Sequence, residues 1–298
     1  SIIDFDIIHE TSVPDVGVSA VAINLTSVNS INTNSYLQAY PYLRASNGAT
    51  STLNISTAGS ARPNFAIVPV GVDGKISIYL QAGGNVIVDV LGYYLDGQTT
   101  AVAGGRFLPL DNPERWMDTR GALGAPLPAV FGGTPRKANV NETILVPQLA
   151  TTAIPNMANV EALVVNITAV GPTSGGYLQA ITSGAVGAIH SNVNYTTGVA
   201  SANTAIVPIT GPGSMSVFTN KSTDIIVDVV GYITASTAAT SNKGLFVPIT
   251  PGRAYNSRTG PAFTLGESRT VQLTGLTPAP LPSVPSNAVG VSVNLTVV

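Results

Sequence analysis

One stretch is written twice in this chain and limits what it can fold into: Asn85-Val-Ile-Val-Asp-Val-Leu-Gly-Tyr93 and Asp224-Ile-Ile-Val-Asp-Val-Val-Gly-Tyr232. Each is a β-branched apolar run with one carboxylate at its centre, Asp89 or Asp228, and each closes on Gly-Tyr before a bland linker. Branching at Cβ costs side-chain freedom in a helix and suits a pleated strand, so the stretch reads as a strand that closes a repeating unit. The surrounding chain recurs with it. Val21-Ala-Ile-Asn24-Leu-Thr26 returns as Val164-Val-Asn166-Ile-Thr168 and again as Val291-Ser-Val-Asn294-Leu-Thr296. Ala66-Ile-Val-Pro69 returns as Ala205-Ile-Val-Pro208, Phe107-Leu-Pro109 as Phe246-Val-Pro248, and Arg115-Trp-Met-Asp-Thr-Arg120 as Arg253-Ala-Tyr-Asn-Ser-Arg258. Tyr36-Leu-Gln-Ala39 and Tyr177-Leu-Gln-Ala180 lie 141 residues apart, and Pro69 and Pro208 lie 139 apart, so few insertions separate the copies. A fixed period of this kind is the signature of a repeat architecture.

Two small, polar stretches without apolar periodicity, 96–105 and 234–243, read as linkers. They divide the chain into a partial unit 1–95 (the closing part), a complete unit 106–233, and a partial unit 244–298 (the opening part). The first piece lacks the Arg-Trp-Met-Asp-Thr-Arg half that the last piece carries, so the two read as complementary. Short Val-, Ile- and Thr-rich runs between Gly, Pro, Asn and Ser clusters predict strands. Val72-Asp-Gly-Lys75 and Thr210-Gly-Pro-Gly213 read as hairpin turns. At the start of the chain Ile3, Phe5 and Ile7 alternate with Asp4 and Asp6, the pattern of a strand with one buried face. The best helical case, Asn156 to Leu163, is short and runs into a strand. The fold class is therefore all-β, with tandem β-sandwich or barrel-like units of about 140 residues.

Only 9% of residues are charged, against about 25% in an ordinary domain, and the net charge is −2. A chain so poor in Lys and Arg lacks the electrostatic footprint for nucleic acid or an anionic membrane, and neither is expected as a partner. Cysteine is absent, which removes disulfides, thiolate nucleophiles and Cys-ligated zinc. No apolar run reaches the roughly 18 residues of a membrane span. No basic-then-apolar leader opens the sequence, so an exported protein would be present in mature or excerpted form.

The ordered set of motifs resembles the tandem β-repeat modules of secreted and cell-surface proteins of actinobacteria and related filamentous bacteria. The residues that carry the resemblance are Asp118-Thr-Arg120, Val164 to Thr168, Gly176-Tyr-Leu178, Ser191 to Asn194, a glycine turn at Gly211-Pro-Gly213 or Asp73-Gly74, and Val227 to Tyr232. It spans nearly the whole chain, and the last unit departs from it with Asn256-Ser-Arg258 in place of Asp-Thr-Arg. It implies an extracellular, modular protein with a structural or adhesive role and no settled catalytic activity.

Alternation places Asp89 and Asp228 among apolar neighbours on their own strand face, where a lone charge is costly, so each needs a partner. The repeated candidates are Arg115 with Arg253 and Arg120 with Arg258, because a guanidinium meets a carboxylate with a bidentate fork. A structural interaction of the carboxylate with an Arg or with a backbone donor, fixing register, outweighs a calcium site, which needs six to eight oxygens, and a catalytic carboxylate pair, since acids are scarce. Three of the Asn-x-Thr/Ser sequons (Asn24, Asn166 and Asn294) share one strand position, which favours a cross-strand hydrogen-bonded ladder over sugar attachment. The sequons near turns, Asn54, Asn194 and Asn220, are the candidate glycan acceptors; Asn141 carries a further sequon. His9 and His190 occupy non-equivalent positions without a nucleophile elbow, and this leaves no catalytic residue, metal ligand or cofactor to name. Trp116, Tyr40, Tyr42, Tyr93 and Tyr94 read as core or corner packing before a sugar platform, because Trp116 becomes Ala254 in the next copy.

A non-enzymatic structural protein of the cell surface is the expectation, a homopolymer of head-to-tail chains forming a filament, sheath or surface array. The permuted cut motivates it: the opening half of one chain would be completed by residues 1–95 of the next, with Ile3, Phe5 and Ile7 as the assembly strand. The competing account of the cut is a longer tandem array that continues the last unit. The alternative function is a carbohydrate-binding or adhesive module, whose partners would be glycans.

Overall fold

The computed structural model describes residues 1–43, 51–96, 100–120, 138–146, 154, 156–185, 190–209, 213–249, 254–274, 284–293 and 295. The first repeat forms seven strands: β1 (Ile2–Asp6), β2 (Val18–Val28), β3 (Ser35–Pro41), β4 (Leu53–Ile55), β5 (Arg62–Pro69), β6 (Lys75–Leu80) and β7 (Asn85–Leu95). They pair antiparallel into two sheets, with spatial orders β1-β6-β3-β4 and β5-β2-β7. The second repeat forms β8 (Phe107–Asp118), β9 (Glu142–Val146), β10 (Val160–Val170), β11 (Gly176–Thr182), β12 (Val193–Tyr195), β13 (Ser201–Pro208), β14 (Met215–Thr219) and β15 (Asp224–Thr234). Its sheets are ordered β9-β14-β11-β12 and β13-β10-β15-β8. Strand for strand, β1 to β7 occupy the places of β9 to β15. Among the described residues, the first unit has nothing in the place of β8.

Period-two alternation builds each core. In β2 the side chains of Val21, Ile23 and Leu25 point into the sandwich, where they meet Leu37 of β3 and Ile76 and Ile78 of β6. The second sandwich repeats this with Leu163, Val165 and Ile167 against Leu178 and Val217, and adds Trp116 and Met117 from β8. Burying one such Ile or Leu contributes about 1.5–3 kcal/mol, so each unit holds its own apolar core.

The register explains why two sequence motifs travel together. Asn24 lies opposite Asp89 across β2 and β7, and Asn166 lies opposite Asp228 across β10 and β15. One residue is then bulged out of each closing strand, Leu91 between the Ile23/Val90 and Ala22/Gly92 pairs and Val230 at the matching place. A bulge sharpens the local twist, and the Gly-Tyr that ends the motif follows it directly.

The outer face of β2 is also covered. Ala20, Ala22, Asn24 and Thr26 are buried, and β5 lies against β12 and β13 of the second unit. Asn24 donates to the Ser191 carbonyl at 2.7 Å and accepts from Asn203 at 3.0 Å, while Asn203 Oδ1 accepts the Phe65 amide at 2.9 Å. The expected ladder position thus makes its bonds across the boundary between the sandwiches, and these few polar contacts fix how they meet.

Several expectations are corrected. Val72–Gly74 is a 3-10 turn in which Asp73 adopts φ 53°, and it passes the chain from one sheet to the other, since β5 pairs with β2 while β6 pairs with β1 and β3. The Ile3, Phe5 and Ile7 segment is not an unpaired assembly strand: β1 pairs with β6 as β9 pairs with β14, and Ile7 turns into a four-residue helix (Ile7–Glu10) with its side chain in the core. Among the described linker residues Val102 bridges to Ser241, and the buried Arg106 donates to the carbonyls of Ala103, Ala239 and Lys243. In the third unit the described residues form no strand and one 3-10 turn, Ser257–Thr259, with Val247, Leu265 and Leu295 exposed. The two partial pieces also overlap. Thr270-Val-Gln-Leu273 and Val291 to Thr296 repeat strands that β1 and β2 already supply.

The boundary yields a prediction. Asn24→Ala removes one of the two acceptors of the buried Asn203 amide, which keeps the Asn192 carbonyl, and takes the Asn24 donor from the Ser191 carbonyl, and chemical denaturation should show a loss of about 1–3 kcal/mol. A loss below about 0.5 kcal/mol would mean that these bonds do not couple the sandwiches.

Candidate functional site

The repeated aspartates sit in two different environments, and the contrast defines the site. Asp228 lies on the outer face of its sheet between β10 and β8, with its side chain 22% exposed, so it is not embedded in the core. Arg115 is its register partner on β8 and grips it with Nε to Oδ1 at 2.8 Å and Nη2 to Oδ2 at 3.4 Å. The same guanidinium reaches Asp118 Oδ2 at 3.1 Å. Arg120 takes Asp118 rather than Asp228, through Nη2 to Oδ2 at 2.7 Å and Nε to Oδ1 at 2.9 Å. The result is an alternating row Asp228, Arg115, Asp118, Arg120 that ties the end of β8 to the centre of β15.

Electrostatics follow the row. Burial pushes the Asp118 carboxyl up, but the hydrogen bonds from Arg120 and the charges of Arg120 and Arg115 outweigh it and hold the group below its ordinary 3.8. The hydrogen bond with Asp228 leads in raising the Arg115 guanidinium. Thr119 completes the element: its hydroxyl donates to Asp224 at 3.2 Å and accepts the Ile225 amide at 2.8 Å, which starts β15. Asp-Thr-Arg is therefore a strand-docking element, and its chemistry is charge pairing.

Asp89 has none of this. Among the described residues no side chain donates to it, and β7 has β2 on one side and no strand on the other. The apolar face beneath is correspondingly thin: Val86, Val88 and Val90 are only partly buried, whereas their counterparts Ile225, Val227 and Val229 are fully buried. On the outer face Ile87 is 50% exposed, against 6% for Ile226. The repeated glycine reports the same gap. A Cβ on Gly231 would meet the Phe107 ring at 2.5 Å and the Leu108 carbonyl at 2.8 Å, while a Cβ on Gly92 would meet nothing within 4 Å.

The third copy keeps part of the element. Asn256 Oδ1 accepts from the Arg258 backbone at 3.1 Å and from its Nε at 3.2 Å, the same turn that Asp118 makes with Arg120. Arg258 thus binds Asn256 rather than either repeated aspartate, and Arg253 lies outside the described residues. Phe246 stacks on Tyr94, the penultimate residue of β7, with ring centroids 4.6 Å apart, and burial pushes the Tyr94 hydroxyl up to about 12.

The remaining candidates are distributed. Asn54 is exposed, Asn194 Oδ1 accepts from Ser191 at 2.6 Å, and Asn220 Oδ1 accepts the Tyr177 amide at 2.7 Å, so Asn220 is occupied as a turn cap. His9 pairs with Asp6 at 2.7 Å, and the His190 carbonyl accepts from the Gln179 amide. Trp116 and Tyr40 are buried, Tyr42 lies beneath Lys75, and Tyr93 is 45% exposed on the free side of β7. Among the described residues no three His, Asp or Glu gather into a metal-sized group. Sequence reasoning passed over Arg106, Asn203 and the steric meaning of Gly92. Asn203 had a readable signal, since Asn64 precedes the first Ala-Ile-Val-Pro as Asn203 precedes the second and donates to a loop carbonyl, Thr52, at 2.7 Å.

Comparison of the chain with family models, with curated proteins and with solved structures finds no match.

The depressed Asp118 carboxyl gives a pH prediction. Its ionised form is favoured by folding, so its contribution is present above the ordinary 3.8 and fades as pH falls through the lower folded value. Asp118→Asn should destabilise the second sandwich by about 1 kcal/mol at neutral pH and flatten its acid limb. Unfolding midpoints of the two proteins between neutral and acid pH check this; parallel curves would remove Asp118 from the account.

Proposed function

We propose that this chain is a non-enzymatic structural subunit of the cell surface that joins copies of itself head to tail into a filament, sheath or array. The observation that carries the reading is a count of strands. Among the described residues one sheet of the first sandwich has three strands where its counterpart has four, which leaves the outer edge of β7 open, and residues 246–258 repeat the sequence of β8. An unpaired strand edge is a template for strand addition, and a head-to-tail contact that does not close generates a fibre. The low charge supports the same role, because surfaces poor in charge repel one another little. An extracellular site agrees with the repeat modules that the motifs resemble.

The second reading, a glycan-binding adhesive module, has less support. It needs a concave aromatic platform, and Trp116 and Tyr40 are inside the sandwiches.

Negative-stain microscopy and sedimentation of the purified chain test the proposal. Fibrous or sheet-like particles are expected, and an excess of a synthetic peptide of residues 244–259 should shorten them by capping acceptor ends. A chain that stays monomeric at high concentration, or particles indifferent to the peptide, would contradict it.

A further inference from the structure

The geometry points to a binding surface for neutral polysaccharide on the outer face of each sandwich, built on the ring pairs Tyr36 with Tyr79 and Tyr177 with Phe218. It stands apart from self-assembly and gives the structural subunit a ligand. Alternation sets the face. Leu37 and Ile78 point into the first core, so Tyr36 of β3 and Tyr79 of β6 point away from it, and their ring centroids lie 5.8 Å apart. In the second sandwich Leu178 and Val217 point inward, and Tyr177 of β11 and Phe218 of β14 meet outside at 6.0 Å. The rings are inclined to each other by 54° and 44°, so neither pair covers its faces by stacking on itself.

The register widens each pair into a row across four strands. Tyr36 lies opposite Asn54 of β4, and Tyr79 lies opposite Ile2 of β1. Tyr177 lies opposite Asn194 of β12, and Phe218 lies opposite Thr143 of β9. With strands about 4.8 Å apart, such a row runs about 15 Å across the sheet. The four rings are half-buried, while Ile2, Asn54 and Thr143 at the row ends are exposed. Other outward positions of the same sheets change between the copies: Asp4 becomes Leu145, Tyr40 becomes Ile181 and Lys75 becomes Ser214. An outward face has no core to fill, so packing of the sandwich does not explain why rings persist in one row and are lost from the next.

The chemistry of the row selects the ligand. A half-buried ring offers an apolar face to the C–H face of a pyranose, and the amides beside it meet sugar hydroxyls. The hydroxyls of Tyr36, Tyr79 and Tyr177 have no hydrogen-bond partner among the described residues, whereas Tyr195 is bonded to Thr219 and Lys221. Neither row carries a charge. Single-stranded nucleic acid, the other polymer that stacks on rings, needs a basic track and is disfavoured by the net charge of −2. The ligand is an uncharged, β-linked chain with flat C–H faces, the chemistry that cellulose and chitin share.

Depletion of the full chain from solution by cellulose and by chitin particles tests the inference. At least one of them should bind the chain, with little loss of binding in moderate salt; binding to neither, or binding that salt abolishes, would overturn it. Tyr36→Ala and Tyr177→Ala should each weaken binding by about tenfold and together more than either, while Tyr36→Phe should retain it. Unchanged binding by a double variant with normal thermal unfolding would overturn the rows as the site. Nitration of the unaltered chain by tetranitromethane gives a readout that does not depend on the variants folding. On the binding particles Tyr36, Tyr79 and Tyr177 should be protected, while Tyr255, 45% exposed and outside both rows, should react as before. Equal nitration of the row tyrosines with and without particles would overturn the inference.

Discussion

A β-strand has two edges, and each exposes a row of backbone donors and acceptors that must find partners or stay in water. In the second sandwich β15 is flanked by β10 and β8, and the consequences of that flanking run through the whole unit. Trp116 and Met117 enter the core, Ile225, Val227 and Val229 close completely, and the Arg115 fork locks the register from outside. Among the described residues the same strand of the first sandwich has one flank only, and these features are missing together. Among the described residues, Ile87 is exposed, Asp89 receives no side-chain donor and a Cβ on Gly92 would face open space.

The charge pairing has the role of an address. Exposed ion pairs stabilise by only about 0.2–1 kcal/mol, and Arg115 is 44% exposed, so the row on β8 does little to hold the sandwich shut. Its value is directional. A one-residue slip of β8 would turn its apolar face outward and carry Arg115 off Asp228, so burial and charge reject the same errors. The bulge beside Val230 and the glycine after it add a third check, because only one position of β15 lets the Phe107 ring pass.

Much of this was readable from the sequence. The all-β class came from recurring motifs, because the same apolar alternation must be written wherever the same strand is built. The pairing of Asp228 with Arg115 was legible as well, since both residues recur and only an Arg offers a fork to a carboxylate. Its location was misjudged: alternation gives the face but not whether that face is covered, and the outer face carries the carboxylate. What covers an outer face is set by distant segments, which is why the burial of Asn24 by Ser191 and Asn203 had no local signal. The role expected for Ile3, Phe5 and Ile7 failed for a related reason. A strand at the start of a chain reads as unpaired until one sees that β1 fills the β9 place. Arg106 was invisible because its partners are carbonyls of a linker, which any sequence supplies.

Hydrogen exchange at β7 tests the central claim most directly. In dispersed chains the amides of β7 that point away from β2 should exchange quickly while those of β15 are protected, and on assembly the β7 set should become as slow as its counterpart. Equal protection of β7 in both states would contradict the account, because its free edge would then not be where copies join.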